Sequence, residues 1–184
     1  MEFFTRPVAA GAIMASGNEL SELITDLAEL PKAQTIVEFG PGTGVFTKEI
    51  IRKMSADALL ISIEKDGQFI ERLKTEFPNV RFYHDAASSI TKHLQDNELA
   101  TCDRIVSGLP WSIFSEQIQT ETLKAAYDSL VPGGMFLTFA YIHSQFLPDG
   151  IRFKRLLKRT FKEVHRSRIA WKNVPPAFVY VCKK

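Results

Sequence analysis

Glu38, Glu64 and Asp85 each stand at or just past the end of an apolar run, and Glu38 leads through Phe39 into Gly40-Pro41-Gly42-Thr43-Gly44. Three glycines in five residues give the backbone access to positive φ and let a ligand come closer than a Cβ would allow. A helix opening at Val45 presents its unpaired N–H groups to the same space. Together these features make a nucleoside-sized site at a strand's carboxyl end. Glu64 follows Gly44 by twenty residues, where a carboxylate can accept both hydroxyl protons of a ribose. The plainer alternative is a cap or surface acid on the next helix. Asp85, just past the next strand, has as its plainer alternative an N-cap for a helix beginning near Ser88. Ser107-Gly108-Leu109-Pro110-Trp111 breaks another strand, and Tyr141 and His143 close a further one.

These residues need elements to hold them. Gln34–Phe39, Ala58–Ile63, Val80–His84, Asp103–Ser107 and Met135–Tyr141 are short, apolar and rich in β-branched or aromatic residues, as buried parallel strands are. Helical spacing separates them: Val45, Phe46, Ile50, Ile51 and Met54 form one stripe, and Gly67–Phe77 and Glu116–Leu130 follow the same period. Val131-Pro132-Gly133-Gly134 stops the last of these and reverses the chain. A helix from Gly150 to about Thr160 is expected to turn Ile151, Phe153, Leu156 and Leu157 inward. Strands at Glu163–Trp171 and Phe178–Cys182 flank the break at Pro175-Pro176, which brings the count to seven. Before the sheet, Leu20, Leu23, Ile24 and Leu27 predict an amphipathic helix over Asn18–Leu30, closed by Pro31. Residues 1–30 therefore read as an arm and helix, and 31–184 as the main domain. Phe3-Phe4-Thr5-Arg6-Pro7 is either a terminus tucked on the core, a lid over the site or a lipid contact.

With 184 residues, 45% hydrophobic and 24% charged, the chain is about one soluble domain with a real core. A net charge of +2 does not by itself imply nucleic acid. Cys102 and Cys182 have no metal-ligand spacing and suit buried thiols in a reducing cytoplasm; no metal site is expected. No apolar run reaches the length of a membrane span, and the amino terminus lacks the basic region of a signal peptide. Eight Lys and Arg stand against one acid between Ile151 and Arg168, either a solvated face or a surface for anionic headgroups or phosphates.

A P-loop would continue Gly-Lys-Ser/Thr and a dinucleotide fingerprint would read G-x-G-x-x-G; neither fits. Glu38-Phe39-Gly40-Pro41-Gly42-Thr43-Gly44 instead resembles motif I of the class I S-adenosylmethionine (SAM) methyltransferases. The resemblance implies their Rossmann-like α/β fold: a seven-stranded, mostly parallel sheet with an antiparallel last strand and helices on both faces. It also implies SAM as cofactor, held by Glu38, Gly40, Pro41, Gly42, Thr43 and Gly44, by Glu64 with Lys65, by Asp85 with Ala86 on the adenine side, and by Ser107, Gly108 and Leu109. The acceptor then sits beyond the fourth strand, with Pro110, Trp111 and Phe114 as candidate walls and Tyr141 and His143 as the nearest polar groups. Amino-directed adenine methyltransferases place a polar residue where this chain has Gly108.

Across the whole length, P-x-x-x-G-A-I, E-F-G-P-G-T-G-V-F-T, V-S-G-L-P, L-x-P-G-G and N-x-P-P-A-x-V-Y are similar to bacterial phospholipid N-methyltransferases. That resemblance implies methylation of the headgroup amine of phosphatidylethanolamine and its methylated derivatives, with peripheral contact at the inner face of an anionic membrane. The rivals are an RNA adenine methyltransferase, which would set the basic run on phosphates and clamp a flipped base with Leu109-Pro110-Trp111, or a small-molecule methyltransferase, with nucleic acid the weaker partner, and a protein that binds SAM without transferring its methyl. Sequence sets no oligomeric state.

Overall fold

A computed structural model describes the backbone from Pro7 to Lys184 and the side chains from Gly17 onward. The strands are β1 (Thr35–Phe39), β2 (Leu59–Glu64), β3 (Arg81–His84), β4 (Cys102–Ser107), β5 (Leu130–Tyr141), β6 (Glu163–Arg166) and β7 (Ala177–Lys183). The helices are α1 (Pro7–Leu27), α2 (Val45–Lys53), α3 (Gly67–Glu76), α4 (Ile90–Gln95), α5 (Glu116–Ser129) and α6 (Pro148–Thr160). One sheet runs β3-β2-β1-β4-β5-β7-β6. The first five strands are parallel, and β7 enters antiparallel between β5 and β6. This is the expected Rossmann-like arrangement.

All five residues of β1 are buried, as befits a central strand covered on both faces. Alternation along the strands builds two cores. Val37, Ile61, Ile105, Phe136 and Phe178 meet α4, α5 and α6 through Ile90, Leu123, Phe153 and Leu157. Ile36, Leu60, Val106, Leu137 and Val179 meet α1, α2 and α3 through Ile24, Ile50, Ile70 and Leu73.

The structure corrects four boundaries. The helix predicted over Asn18–Leu30 starts earlier, at Pro7, and ends at Leu27; Leu30–Lys32 is a separate 3-10 turn. Val131-Pro132-Gly133-Gly134 does not separate helix from strand. The strand already begins at Leu130, and these residues form a bulge where the β4–β5 register jumps from Cys102↔Leu130 to Arg104↔Met135. The strand expected over Glu163–Trp171 stops at Arg166, with only an isolated bridge, Ala170 to Ala177, beyond it. On α6, Phe153 and Leu157 are buried, whereas Ile151 is exposed, because the helical period sets it on the far side. The arm at Phe3-Phe4-Thr5-Arg6 lies outside the described residues.

Candidate active site

Strand order reverses between β1 and β4, and the glycine turn lies at that switch point, where open α/β sheets bind their ligands. Backbone bonds carry the sheet one step beyond the strand ends: the Gly40 N–H donates to Ile63 O at 2.9 Å and the Gly108 N–H to Phe39 O at 2.7 Å. The two turns are thereby pressed together. A Cβ on Gly108 would lie 2.6 Å from Gly40 O, and one on Gly40 would lie 2.7 Å from Leu109 Cδ2. Gly42, at φ +53°, differs from both: a Cβ there meets nothing within 4 Å. That face of the turn is open to a ligand. Pro41 is buried and Thr43 exposed.

Glu64 accepts from the Gly42 N–H at 3.1 Å through one oxygen, and from the Lys65 and Asp66 N–H groups at 2.8 and 2.9 Å through the other. These bonds fix the carboxylate against the open face of the turn and leave lone pairs for a diol. Asp66, not Glu64, caps α3, through Gln68 N–H, so the capping alternative falls to the neighbouring acid. The Asp85 carboxylate accepts from Ala86 N–H at 2.7 Å and Ser89 Oγ at 3.0 Å, and its other oxygen lies 3.1 Å from His93 Nε2. The backbone bond from Ala86 leads in holding its pKa below the usual range. Asp85 thus braces the loop that leads to α4 without capping either helical segment; these start after Ala86 and Ser89 with no side-chain cap, and the Asp85 side chain is 30% exposed. Glu38 faces the other way. It is wholly buried, accepting from Thr47 Oγ1 at 2.8 Å and Ser62 Oγ at 2.8 Å, so it fastens the first turn of α2 to β2 from beneath the glycines.

In the acceptor half, buried Ser107 receives the Trp111 indole N–H at 3.0 Å. Trp111 is 2% exposed and stacks on Phe153 at 4.6 Å; it cannot clamp a flipped base. Phe114 packs edge-on against Trp111 at 6.0 Å and stands behind the cavity wall. A cavity of about 30 Å³ is lined by Pro110, Trp111, Ser112, Phe139, Ala140, Tyr141, Ser144, Gly150 and Phe153. It has room for about two waters. Tyr141 lines it, and His143, exposed, stacks on Tyr141 at 5.6 Å. Burial pushes the Tyr141 phenol up, so it keeps its proton at neutral pH.

Two groups escaped the sequence reading. Buried Gln119 donates to Trp111 O at 2.7 Å and accepts from Arg152 Nε at 3.2 Å, while Arg152 also donates to Phe114 O at 3.2 Å. They pin the Pro110–Phe114 loop to α5 and α6. Nothing local separates Gln119 from Gln117 on the same helix, or Arg152 from the other bases of its run. The second is an aromatic row in which Phe46 meets Phe139 at 6.1 Å and Phe139 meets Tyr141 at 5.3 Å. Phe139 and Tyr141, two apart on a strand, could have signalled it.

The family model for ribosomal RNA adenine dimethylase matches residues 17–133, well over half of the chain. The chain belongs to the ribosomal RNA adenine dimethylase family. Like that family it is a SAM-dependent methyltransferase. It is 28% identical over 186 residues to the ornithine lipid N-methyltransferase of Singulisphaera acidiphila, spanning 99% of this chain and 92% of that protein. The ribosomal RNA small subunit methyltransferase A of Clostridium botulinum is 34% identical over 50% of this chain, but that match spans only 33% of the relative. The fold is shared with the N-methyltransferase NodS of Bradyrhizobium japonicum (TM-score 0.71, 13% identity, 90% of this chain and 94% of that one). It is shared too with an O-methyltransferase of Bacillus cereus (TM-score 0.73, 13% identity, 96% and 86%). SAM suits the site of this family member: the open face of Gly42 admits a ligand and Glu64 stands fixed beside it.

Proposed function

We propose that the protein transfers the methyl group of SAM to the headgroup amine of an amino lipid, of the phosphatidylethanolamine or ornithine lipid class. The end-to-end similarity to an ornithine lipid N-methyltransferase carries this reading. Glu64 accepts the ribose hydroxyls, with Lys65 beside it, and Asp85 with Ala86 borders the adenine. Gly40 to Gly44 lie along the methionine portion, Glu38 holds that turn from below, and Ser107, Gly108 and Leu109 close the far side. Bound SAM supplies a methyl already activated on a sulfonium. What remains for the protein is to hold a neutral amine in line and to keep water away. The cavity at Pro110, Trp111 and Tyr141 receives the amine. Tyr141, protonated, orients it by hydrogen bonding, and its proton leaves to water rather than to this phenol. The Phe139–Tyr141 faces suit the cationic product.

Methylation of adenine in RNA is the second reading, favoured by the family model. Gly108 counts against it, since no side chain fits there to hold the target nitrogen.

The test is label transfer from methyl-labelled SAM to vesicles of phosphatidylethanolamine or ornithine lipid. Label is expected in the extracted lipid. Glu64→Ala is expected to weaken SAM binding by about 1–3 kcal/mol in calorimetry, by leaving a ribose diol unpaired. SAM binding with no label in any amino lipid would sink the substrate assignment; an unchanged affinity would sink the role of Glu64.

A further inference from the structure

Large apolar side chains left in water gather at one end of the molecule. Ile113 is 76% exposed after β4, Phe146 79% and Leu147 46% after β5, and Trp171 and Val174 67% each between β6 and β7. Three contacts bring these loops together at the carboxyl end of the sheet. Ile142 N–H donates to Pro176 O at 3.0 Å, the Arg166 guanidinium meets Gln145, and Pro110–Ser112 share the cavity wall with Ser144 and Gly150. Scattered exposed apolar residues mean little, but five carried by three loops that meet at one end of the sheet are the material of a patch.

The charges around that patch are one-sided. Asp149 is taken by Arg152 at 2.7 Å, and Glu19 by Arg168 at 2.9 Å and the Lys172 N–H at 2.8 Å. Glu116 lies in the groove formed with Arg152, Arg155 and Arg159. The rim keeps the ammonium of Lys172, beside Glu19. Beside the rim the first half of α6 carries Lys154 and Arg155, neither of them in an ion pair among the described residues, while Lys158 and Arg159 lie toward the other end of the sheet, where the Lys162 N–H donates to Lys183 O. No helix among those residues is long and apolar enough to cross a membrane. Bulky tips that include a Trp and a Phe, bordered by more cations than acids, match the headgroup–acyl boundary of an anionic bilayer.

We propose that Ile113, Phe146, Leu147, Trp171 and Val174 dip into the surface of an anionic bilayer and hold the acceptor cavity against the headgroups, so that the amine enters from the plane of the membrane. This rests on the amino-lipid reading. Insertion supplies the apolar contact and the α6 cations the electrostatic one, the two signals that stable peripheral binding needs.

The experiment uses the full chain with phosphatidylcholine vesicles, with and without phosphatidylglycerol, and reads sedimentation and tryptophan emission. Trp111 is already buried, so a blue shift on adding anionic vesicles reports Trp171 and should vanish in Trp171→Phe. The double variant Phe146→Ser with Leu147→Ser, its SAM affinity first checked as unchanged, should lose vesicle partitioning by roughly tenfold or more. It should still methylate a monomeric short-chain phosphatidylethanolamine while losing activity on vesicles. Rim-dependent vesicle binding without methylation of any lipid would uphold the docking surface and overturn the amino-lipid reading. Binding indifferent to the rim substitutions would overturn the docking surface. A blue shift that follows protein concentration without vesicles would overturn it too, in favour of a second copy of this chain.

Discussion

Full burial pushes the Glu38 carboxyl up to about 7, against the hydrogen bonds from Ser62 and Thr47 that pull it down. Its pKa in the unfolded chain is 4.5, so between the two values the folded state holds the proton more tightly. Stability from this group is therefore greatest in acid, falls as pH rises from about 4.5 to about 7, and levels off above. The span corresponds to roughly 3 kcal/mol. Glu38→Gln is expected to remove that slope, so denaturant unfolding of the SAM-free protein should show wild type losing ground to the variant across this window. Parallel pH profiles would refute it. At Gly108, the 2.6 Å approach of a built Cβ to Gly40 O makes a different prediction. Gly108→Asn, which would imitate the polar residue of adenine-directed enzymes, should not confer base methylation. It should force the two turns apart, lower the melting temperature and weaken SAM by about 2–4 kcal/mol. An intact melting temperature and SAM affinity would show that the turns have slack. The sequence marked both residues as special, Glu38 by its motif and Gly108 by its departure. Neither the inward direction of the acid nor the backbone that excludes a side chain at Gly108 is local information.

Among the elements, α5 and α6 do more than cover the sheet. Gln119 and Arg152 hold the loop after β4 by its carbonyls. Gln119→Ala would leave Trp111 O and Arg152 Nε without partners in a buried setting, at a cost of about 1–3 kcal/mol. Because the pinned carbonyls belong to Trp111 and Phe114, on the side of the proposed amine cavity, whereas Gly108 and Leu109 are the residues that meet the glycine turn, the Michaelis constant for the amine should rise while the SAM dissociation constant stays put. Equal losses for both ligands would mean a general loosening instead. Element boundaries were legible where local chemistry sets them. Asp66 and Ser115 are residue types that cap helices, and they bond Gln68 and Ile118 as caps do, whereas Pro31 lies within the 3-10 turn Leu30–Lys32 and does not stop α1. The β5 bulge was not legible, since pairing with β4 outweighs a Pro-Gly-Gly that alone reads as a loop. The exposure of Ile151 was hidden for a similar reason: an apolar residue at a helix start gives no sign of which neighbour, if any, will cover it.

At the scale of the whole molecule, the two cysteines report on cooperativity. Cys102 and Cys182 are free and buried in one core; burial lifts Cys102 to about 12 and pushes Cys182 up as well. Neither thiolate is available in the native state. Thiol-specific labelling should be silent without denaturant and should then follow the unfolding transition seen by circular dichroism; prompt labelling of either would reveal local opening. The sequence by itself determined the strands, the glycine turn, the cofactor class and the candidate ribose acid Glu64. Each of these depends on residues adjacent in the chain or on the ordered rise of strand, turn and helix. Only the tertiary structure decided that Trp111 is core rather than clamp and that Gln119 and Arg152 steady the acceptor loop. It alone brought the loops that carry Ile113, Phe146 and Trp171 to one end of the sheet. Those facts depend on which distant segments the sheet order brings together, and burial is a property of the neighbours, not of the residue.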